Sequence, residues 1–439
     1  MYRNFVEKLS YFFSNNLSII KNSSWIIIEK LLSIFGLIFI TSYVAKYIGP
    51  DNFGKLSYAI SIFIIIQTVS MLGTDTILFK RISKNRDSGI SLMLSTIELR
   101  ILLYILISIL FTLYSIYTTK DHITIIFTIS VAFSYLFLAI DHYAIYFNAI
   151  LQSKINVLFN IIGISISLLL RYLIVLFELN IIYFSIPIIL TTLLPFIFRC
   201  IYFHRKIALK KIKKRKPYII YLMRQGLPIS ISNVSISVYS KISQIFLSLL
   251  ISNYALGIYT VASTLAYAWL FLPQAVITSY FTKIYSKNNK NEILQLTAYL
   301  NLFIIFISVL YLIFIYFFGE KIILILYGID YIESANIIFY LSIASVFSSL
   351  GIVSYRYIVA FSGYSFLSKK MFFTSFLGIL LTYVLIKEYA ITGAVLASIL
   401  IEIVSLTVFN YFFKNKLVFF MHIKTIYIIF NFSKKHIKE

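Results

Sequence analysis

Residues 31–86 hold two apolar runs, each about 20 residues or longer, on either side of the turn sequence Ile48-Gly49-Pro50-Asp51-Asn52-Phe53-Gly54. A run of this length crosses ~30 Å of hydrocarbon as an α-helix. Glycine, proline, aspartate and asparagine favour turns, which accounts for the break between the runs. The segment is therefore predicted to form a transmembrane hairpin, and its second helix ends on the basic residues Lys80, Arg81, Lys84 and Arg86.

The same hairpin occurs a second time in the chain. A single ungapped offset of 203 residues lays Gly54 on Gly257 and the sequence Ser83-Lys84-Asn85 on Ser286-Lys287-Asn288. Both copies share the order of hairpin, glycine and long helix ending in basic residues. The chain is therefore predicted to contain two homologous halves, as many transporters do.

The composition indicates a membrane protein. Apolar residues make up 60% of the 439 residues and charged residues 13%, about half the charged share of a soluble domain. A chain with this much apolar surface is predicted to be an all-α integral membrane protein. A short apolar stretch near the end, residues 417–432, is predicted to be re-entrant or interfacial. Hydropathy indicates about twelve transmembrane helices, over residues 25–47, 56–79, 92–117, 123–147, 155–177, 181–203, 226–251, 256–282, 293–318, 335–360, 368–386 and 391–413.

Basic residues between the predicted spans set the orientation of the chain in the membrane. With the amino terminus on the cytoplasmic side, every strongly basic loop is cytoplasmic, including the loop that holds Lys369 and Lys370. The carboxyl terminus is then cytoplasmic as well. The predicted organisation is an N-terminal six-helix lobe (1–203), a basic cytoplasmic linker (204–225), a C-terminal six-helix lobe (226–413) and a basic tail with the short apolar segment (414–439).

Charge and motif content exclude several classes of protein. The net charge of +23 would suggest nucleic-acid binding in a soluble protein, but membrane insertion selects cationic cytoplasmic loops, so no nucleic-acid partner is expected. The single cysteine, Cys200, excludes an internal disulfide, and the five histidines lack metal-ligand spacing. The sequence shows no nucleophile–base pair, phosphate-binding glycine loop or long outward loop, so we expect neither an enzyme nor a cofactor.

Polar residues recur along one face of several predicted spans. On the span over 226–251 they fall at steps of three or four, which places them on one helix face. Serine and glycine in such stripes also favour close packing of helices, and packing is the preferred interpretation for those residues alone. The polar face of this span consists of Gly226, Ser230, Asn233, Ser237, Lys241, Gln244 and Ser248.

Ionisable residues inside spans carry more weight, because each costs about 2.5–3.5 kcal/mol or more near the bilayer centre and usually faces a wet cavity or a partner. The predicted cavity residues are Lys241, Arg171, Arg356, Asn233, Gln244, Tyr267 and Gln274. Snorkelling to the interface, or pairing with an acidic residue, is the alternative for the three cations. The acidic candidates, for pairing a cation or for binding a coupling ion, are Asp75, Asp141, Glu29 and Glu402.

These residue types also indicate a ligand class. Lysine and arginine bind phosphate oxygens by charge-assisted hydrogen bonds, and tyrosine, serine and amide side chains exchange hydrogen bonds with sugar hydroxyls. An anionic, sugar-bearing ligand therefore fits. Glu98 and Arg100, near the start of a span, are predicted to be interfacial. The residues predicted to bind a negative headgroup first, at the cytoplasmic rim, are Lys80, Arg81 and Lys283.

Three short stretches resemble a known family. Residues 45–57 (AKYIGPDNFGKLS) resemble the "ryLGpeefGlys" turn of polysaccharide flippases in the multidrug/oligosaccharidyl-lipid/polysaccharide (MOP) superfamily. Residues 253–262 (NYALGIYTVA) are similar to the family element "lG.Ysaa", and residues 326–331 (LYGIDY) to its segment "lyG.ey". The resemblance implies two pseudo-symmetric six-helix lobes around a central, often cationic, cavity.

The resemblance also implies a function. Such proteins move undecaprenyl-pyrophosphate-linked oligosaccharide units from the cytoplasmic to the outer leaflet by alternating access. Within the family, the implied role is most like that of the Wzx-type O-antigen flippases. The implied setting is the bacterial cytoplasmic (inner) membrane, with a lipid-linked oligosaccharide as substrate and a polysaccharide polymerase and chain-length proteins as partners. The first alternative is a drug or cation exporter of the same superfamily. The second, which ranks below it, is an integral-membrane polymerase or ligase of polysaccharides.

Overall fold

The computed structural model of the protein describes residues 17–206, 214, 217–285, 287 and 289–436. Within these ranges the chain forms α-helices and two 3₁₀ turns, Ile181–Phe184 and Ile329–Tyr331, and no β-strand. The α-helices are α1 (Leu17–Met71), α2 (Thr74–Lys84), α3 (Arg86–Thr118), α4 (His122–Ile140), α5 (His142–Ala149), α6 (Ser153–Leu176), α7 (Ser185–Lys206), α8 (Pro217–Leu250), α9 (Asn253–Ala268), α10 (Phe271–Tyr285), α11 (Lys290–Tyr327), α12 (Glu333–Ala360), α13 (Tyr364–Leu406), α14 (Val408–Tyr411) and α15 (Leu417–His436).

Nine helical stretches in the described ranges are long and apolar enough to cross a membrane. The prediction of an all-α, multi-pass membrane protein is therefore confirmed. Two of the stretches, Ile40–Met71 and Tyr364–Tyr411, each combine parts of two predicted spans because the helices continue through a kink. Helix α8 is not among the nine because its serines, lysine and glutamine lower its hydropathy.

The kinks have identifiable backbone causes. Helix α1 leaves helical geometry at Gly49, where φ is 75° and ψ is 167°. Glycine adopts positive φ without strain, and Pro50 then suits the first turn of the helical segment that follows. In α13 the helix breaks at Ala390, where φ is 50° and ψ is −127°. The predicted turn between the first two spans is thus reduced to a single non-helical residue.

Contacts between residues divide the chain into two compact units. Among the described residues, unit 1 comprises those up to Ile48 and those from Ala59 to Val234, and unit 2 comprises Gly49–Tyr58 and those from Ser235 onward. Helix α8 therefore contributes its first half to unit 1 and its second half to unit 2. The lobe boundaries given by the sequence stay a prediction.

Each unit has its own apolar core. In unit 1, side chains from α2, α3, α5, α7 and α8 are fully enclosed, namely Leu78, Leu92, Tyr146, Phe203 and Leu222. In unit 2 the enclosed side chains come from α10, α11, α12 and α15, namely Ile277, Ile304, Val353, Val418 and Met421. The short apolar stretch near the end of the sequence thus packs, as α15, into the helix bundle of unit 2.

A reciprocal glycine contact lies within unit 2. A Cβ atom on Gly54 would overlap the backbone carbonyl of Asn253, and a Cβ atom on Gly257 would overlap the carbonyl of Pro50. Under the offset of 203 residues, Pro50 corresponds to Asn253 and Gly54 to Gly257. The contact of Gly54 with Asn253 is therefore repeated, with the two copies exchanged, by the contact of Gly257 with Pro50. Such reciprocal contacts are typical of a two-fold symmetric interface. Small residues let two helix backbones approach this closely.

The contact predicts a strong effect of a small substitution. Gly257→Ala should destabilise the protein by about 1–3 kcal/mol, because the added methyl group meets a backbone carbonyl that cannot rotate away. Gly351→Ala is the matched control, since among the described residues no atom beyond its own stretch of helix lies within 4 Å of its would-be Cβ atom. The midpoint of thermal unfolding in detergent should fall for Gly257→Ala alone. Equal midpoints for both variants and the wild type would contradict the close contact.

Candidate functional site

A polar cavity of about 350 Å³ lies in unit 2. Its walls come from α8, α9, α12 and α13, and each of these helices contributes hydroxyl-bearing side chains. The larger polar side chains that line it are Tyr239, Lys241, Gln244, Tyr259, Tyr267 and Glu402. The cavity therefore combines one ammonium, one carboxylate, one amide and three phenol groups.

The spacing of residues on α8 positions the cationic wall of the cavity. Lys241 and Gln244 are three residues apart and share one helix face. The Lys241 Nζ atom donates a hydrogen bond to Gln244 Oε1 over 3.1 Å. Tyr267 faces the same cavity from α9. Three of the seven predicted cavity residues are thus brought together by the fold.

The other four predicted cavity residues lie elsewhere. Asn233 is exposed on the part of α8 that belongs to unit 1, and Gln274 is exposed on α10. Arg171 lies on α6, where its Nε atom is buried without a hydrogen-bond partner among the described residues. Arg356 lies on α12 beside Tyr285, whose hydroxyl donates to the Arg356 carbonyl over 3.2 Å. These residues do not line the cavity of unit 2.

The carboxylate of Glu402 is held at the wall of the cavity. Hydroxyl groups of Tyr239 and Ser348 interact with it, and the charge of Lys370 acts on it. On the same side, the hydroxyls of Tyr259 and Ser398 are 3.0 Å apart. Glu402 therefore has neighbours that compensate its negative charge.

The prediction that Lys370 lies in a cytoplasmic loop is wrong. Lys370 lies in the first part of α13 and is 5% exposed. Within the described ranges it has no direct hydrogen bond from its ammonium and no ion pair. A stripe at steps of four, formed by Lys370, Thr374, Gly378 and Thr382, was the available signal, because it marks the buried face of α13.

The prediction that Arg100 lies at the membrane interface is also wrong. Arg100 is 0% exposed in unit 1 and forms an ion pair with Asp75 over 3.5 Å. Its Nη1 atom donates to His142 Nε2 over 3.2 Å, and its Nη2 atom donates to the carbonyl of Ala139. The His142 Nδ1 atom lies 2.8 Å from the carbonyl of Ile140, which assigns the proton of a neutral imidazole to Nδ1.

Asp141 has an arginine partner as well. It is 8% exposed, pairs with Arg199 of α7, and caps α5 by accepting a hydrogen bond from the Ala144 amide over 3.2 Å. Arg199 also donates to Asn160 Oδ1 over 2.6 Å. Asp75 and Asp141 thus each meet an arginine that the sequence interpretation did not assign to them, and ion coupling through either carboxylate stays a prediction.

The predicted rim residues differ in their surroundings. Lys80 and Lys283 are exposed. Arg81 donates from Nε to Ser88 Oγ over 2.8 Å and lies over the ring of Tyr218, 4.8 Å from its centroid. Arg81 therefore contributes to the packing of α8 against α2. The side chain of Glu29 lies outside the described residues.

Several polar stripes belong to helix packing. On α6, Gly163 faces Pro195 of α7, and Ser167 accepts a hydrogen bond from Thr191 over 2.6 Å. On α12, Ser345 accepts a hydrogen bond from Trp269 Nε1 over 2.9 Å. Among the described residues, no group of three or more histidine, cysteine or carboxylate side chains is placed to hold a metal ion.

The Asp141–Arg199 pair predicts a measurable loss of stability. Asp141→Asn keeps an acceptor for the Ala144 amide but leaves Arg199 buried without its counter-charge, which typically costs about 3–5 kcal/mol. The folded yield and the thermal midpoint in detergent should therefore fall. The double variant Asp141→Asn with Arg199→Gln removes the uncompensated charge and should recover part of both. A double variant that is less stable than Asp141→Asn would refute charge compensation as the cause.

Sequence comparison identifies a family. Residues 19–283, more than half of the chain, match the family described as "Polysaccharide biosynthesis protein". Over 192 residues the chain is 29% identical to the capsular polysaccharide biosynthesis protein CapF of Staphylococcus aureus, which covers 43% of this chain and 48% of that protein. The chain thus matches about half the length of that curated relative.

Solved structures show the same fold. The lipid II flippase MurJ, in an inward closed conformation, superposes with a TM-score of 0.69 at 15% identity, covering 95% of this chain and 93% of that one. An inward-facing multidrug resistance MATE family transporter of the MOP superfamily superposes with a TM-score of 0.66 at 14% identity, covering 88% and 96%. The chain belongs to the polysaccharide biosynthesis protein family and has the fold of the MOP superfamily transporters.

Proposed function

We propose that the protein is a flippase for a lipid-linked oligosaccharide. The substrate would be an undecaprenyl-pyrophosphate-linked repeat unit of O-antigen or a related surface polysaccharide, moved from the cytoplasmic to the outer leaflet of the bacterial cytoplasmic membrane. The family description and the name of the relative CapF, which refers to capsular polysaccharide, support this substrate class. The name of the structural relative MurJ, a lipid II flippase, supports the transport step.

The polar cavity of unit 2 is the observation that carries the proposal. Sugar hydroxyls and anionic groups lose their hydration in hydrocarbon, and each unpaired polar group then costs several kcal/mol. A cavity that offers the ammonium of Lys241, the amide of Gln244 and the hydroxyl of Tyr267 replaces part of that hydration inside a helix bundle. The polyprenyl tail is apolar and needs no such replacement.

Alternating access is the transport mechanism that this proposal includes. Broken helices are the common means by which transporters combine a binding site with movement. The chain has such breaks at Gly49 in α1 and at Ala390 in α13. Both breaks lie where α-helical hydrogen bonds are interrupted, so local bending there costs less than in a continuous helix.

A drug or cation exporter is the second candidate. The carboxylate of Glu402 in the cavity favours it, because a cationic drug would be attracted there. Against it, Lys241 lines the same cavity, and Glu402 already interacts with Tyr239, Ser348 and Lys370. The cavity therefore presents more uncompensated positive than negative charge, which disfavours a cationic ligand.

The flippase proposal predicts a defect in cells that lack the protein. Surface glycan should be lost, and its lipid-linked precursor should accumulate on the cytoplasmic leaflet. Complementation with Lys241→Ala should restore glycan about tenfold less than the wild type or worse, because a charge-assisted hydrogen bond contributes about 1.5–3 kcal/mol. Lys369→Ala, at an exposed lysine next to Lys370, should complement fully.

The other outcomes of this experiment discriminate between the candidates. Full complementation by a normally inserted Lys241→Ala would keep the flippase and remove Lys241 from its site. Intact surface glycan in cells without the protein, together with lost efflux of a cationic dye, would favour the exporter. Immunoblotting of membrane fractions controls for the amount of each variant.

The proposed orientation, with both termini cytoplasmic, has its own test. Cys200→Ser removes the single cysteine of the chain. In that background, cysteine in place of the exposed Lys120 should react with a membrane-impermeant thiol reagent in intact cells. Cysteine in place of the exposed Lys154 should react only after the membrane is opened. The reverse pattern would invert the topology derived from the loop charges.

A further inference from the structure

We propose that the cavity of unit 2 is a subsite for one sugar that bears a single carboxylate, a uronic-acid type residue of the repeat unit, and not a site for the pyrophosphate. This inference rests on the proposed flippase function and narrows its substrate class. It follows from the charge, the size and the aromatic lining of the cavity.

One ammonium group of the cavity, that of Lys241, has no counter-ion among the described residues. Of the charged side chains in the described part of the chain, Lys241 and Glu402 line it. Glu402 has the buried Lys370 as its electrostatic partner and two hydroxyl groups as further neighbours. Lys241 forms its hydrogen bond with the neutral amide of Gln244 and has no ion pair within the described ranges. The net charge of these three groups is one positive charge.

This charge matches a carboxylate better than a pyrophosphate. Inside a low-dielectric helix bundle, a charge is stable only if a partner compensates it. A pyrophosphate that links a lipid to a sugar carries two negative charges, so one of them would remain uncompensated beside the carboxylate of Glu402. A single carboxylate is neutralised by Lys241 through a charge-assisted hydrogen bond. The cavity therefore selects a monovalent anion.

The size of the cavity points to one sugar ring. Its volume of about 350 Å³ is near the lower end of the range of roughly 300–1,000 Å³ for small-molecule pockets. A monosaccharide fits this space, whereas a complete repeat unit of several sugars exceeds it.

The lining matches the surface of a sugar. Tyr239, Tyr259 and Tyr267 present apolar ring faces, against which the C–H groups of a pyranose can pack, and hydroxyl tips that bond to sugar hydroxyls. Gln244 adds an amide next to Lys241, so a carboxylate and a neighbouring hydroxyl can be bound together. Aromatic faces would contribute little to binding of a pyrophosphate.

Ligand-observed NMR on the purified full-length protein in nanodiscs tests the assignment. The probes are glucuronate and galacturonate, their neutral counterparts glucose and galactose, and inorganic pyrophosphate. At least one uronate should bind about tenfold more tightly than its neutral counterpart, and pyrophosphate should not displace it. In Lys241→Gln the preference should disappear while weak binding of the neutral sugar persists. Lys369→Gln should behave as the wild type.

Three results would each overturn the assignment. The first is displacement of a bound uronate by pyrophosphate, and the second is equal binding of the uronates and their neutral counterparts. The third is a uronate preference that survives in Lys241→Gln. The competition in wild-type protein decides the matter even if Lys241→Gln does not fold. Failure here discards the acidic-sugar subsite alone, whereas intact surface glycan in cells without the protein discards the flippase.

Discussion

The cost of an unpaired charge in hydrocarbon governs the arrangement of the ionisable residues in this chain. In unit 1, Asp75 meets the buried Arg100, and Asp141 and Arg199 form a buried pair, so each carboxylate compensates a guanidinium group. In unit 2, Lys241 meets a neutral amide at the edge of a cavity. The two arginine–carboxylate pairs of unit 1 thus satisfy the constraint internally, whereas Lys241 in unit 2 leaves room for a charged ligand.

The internal repeat adds a second constraint, which acts on the backbone. The reciprocal contact of Gly54 and Gly257 requires that both positions lack a side chain, because each faces a main-chain carbonyl. An exchange at one position alone would break the contact, so the two glycines depend on each other. The repeat detected by one sequence offset therefore corresponds to a physical contact between its two copies, and it explains why glycine occupies both positions.

The sequence was sufficient for features that depend on periodicity. Apolar run length predicted the helices, and spacing on α8 predicted the face that carries Lys241 and Gln244. The sequence was insufficient to predict the burial of a side chain where that burial depends on a neighbouring helix. Arg100 was assigned to the interface because of its distance from the span start, yet Asp75 and His142 enclose it. Arg171 and Arg356 are grouped with Lys241 because each lies on a polar stripe inside a predicted span, although a stripe does not show which helix or cavity its side chains face.

The division of charge between the units bears on how a flippase of this type would discriminate substrates. A network of mutually paired charges, such as Asp141 with Arg199, offers no net charge to a ligand, so it stabilises the bundle without selecting cargo. Selection would then fall to Lys241, which lines the cavity of unit 2 and has no ion pair within the described ranges. Because Lys370 offsets the charge of Glu402, the three groups together carry one positive charge, which a single carboxylate would neutralise and a more highly charged group would exceed. Specificity in such a site would arise from the balance of three fixed charges and would require few dedicated contacts.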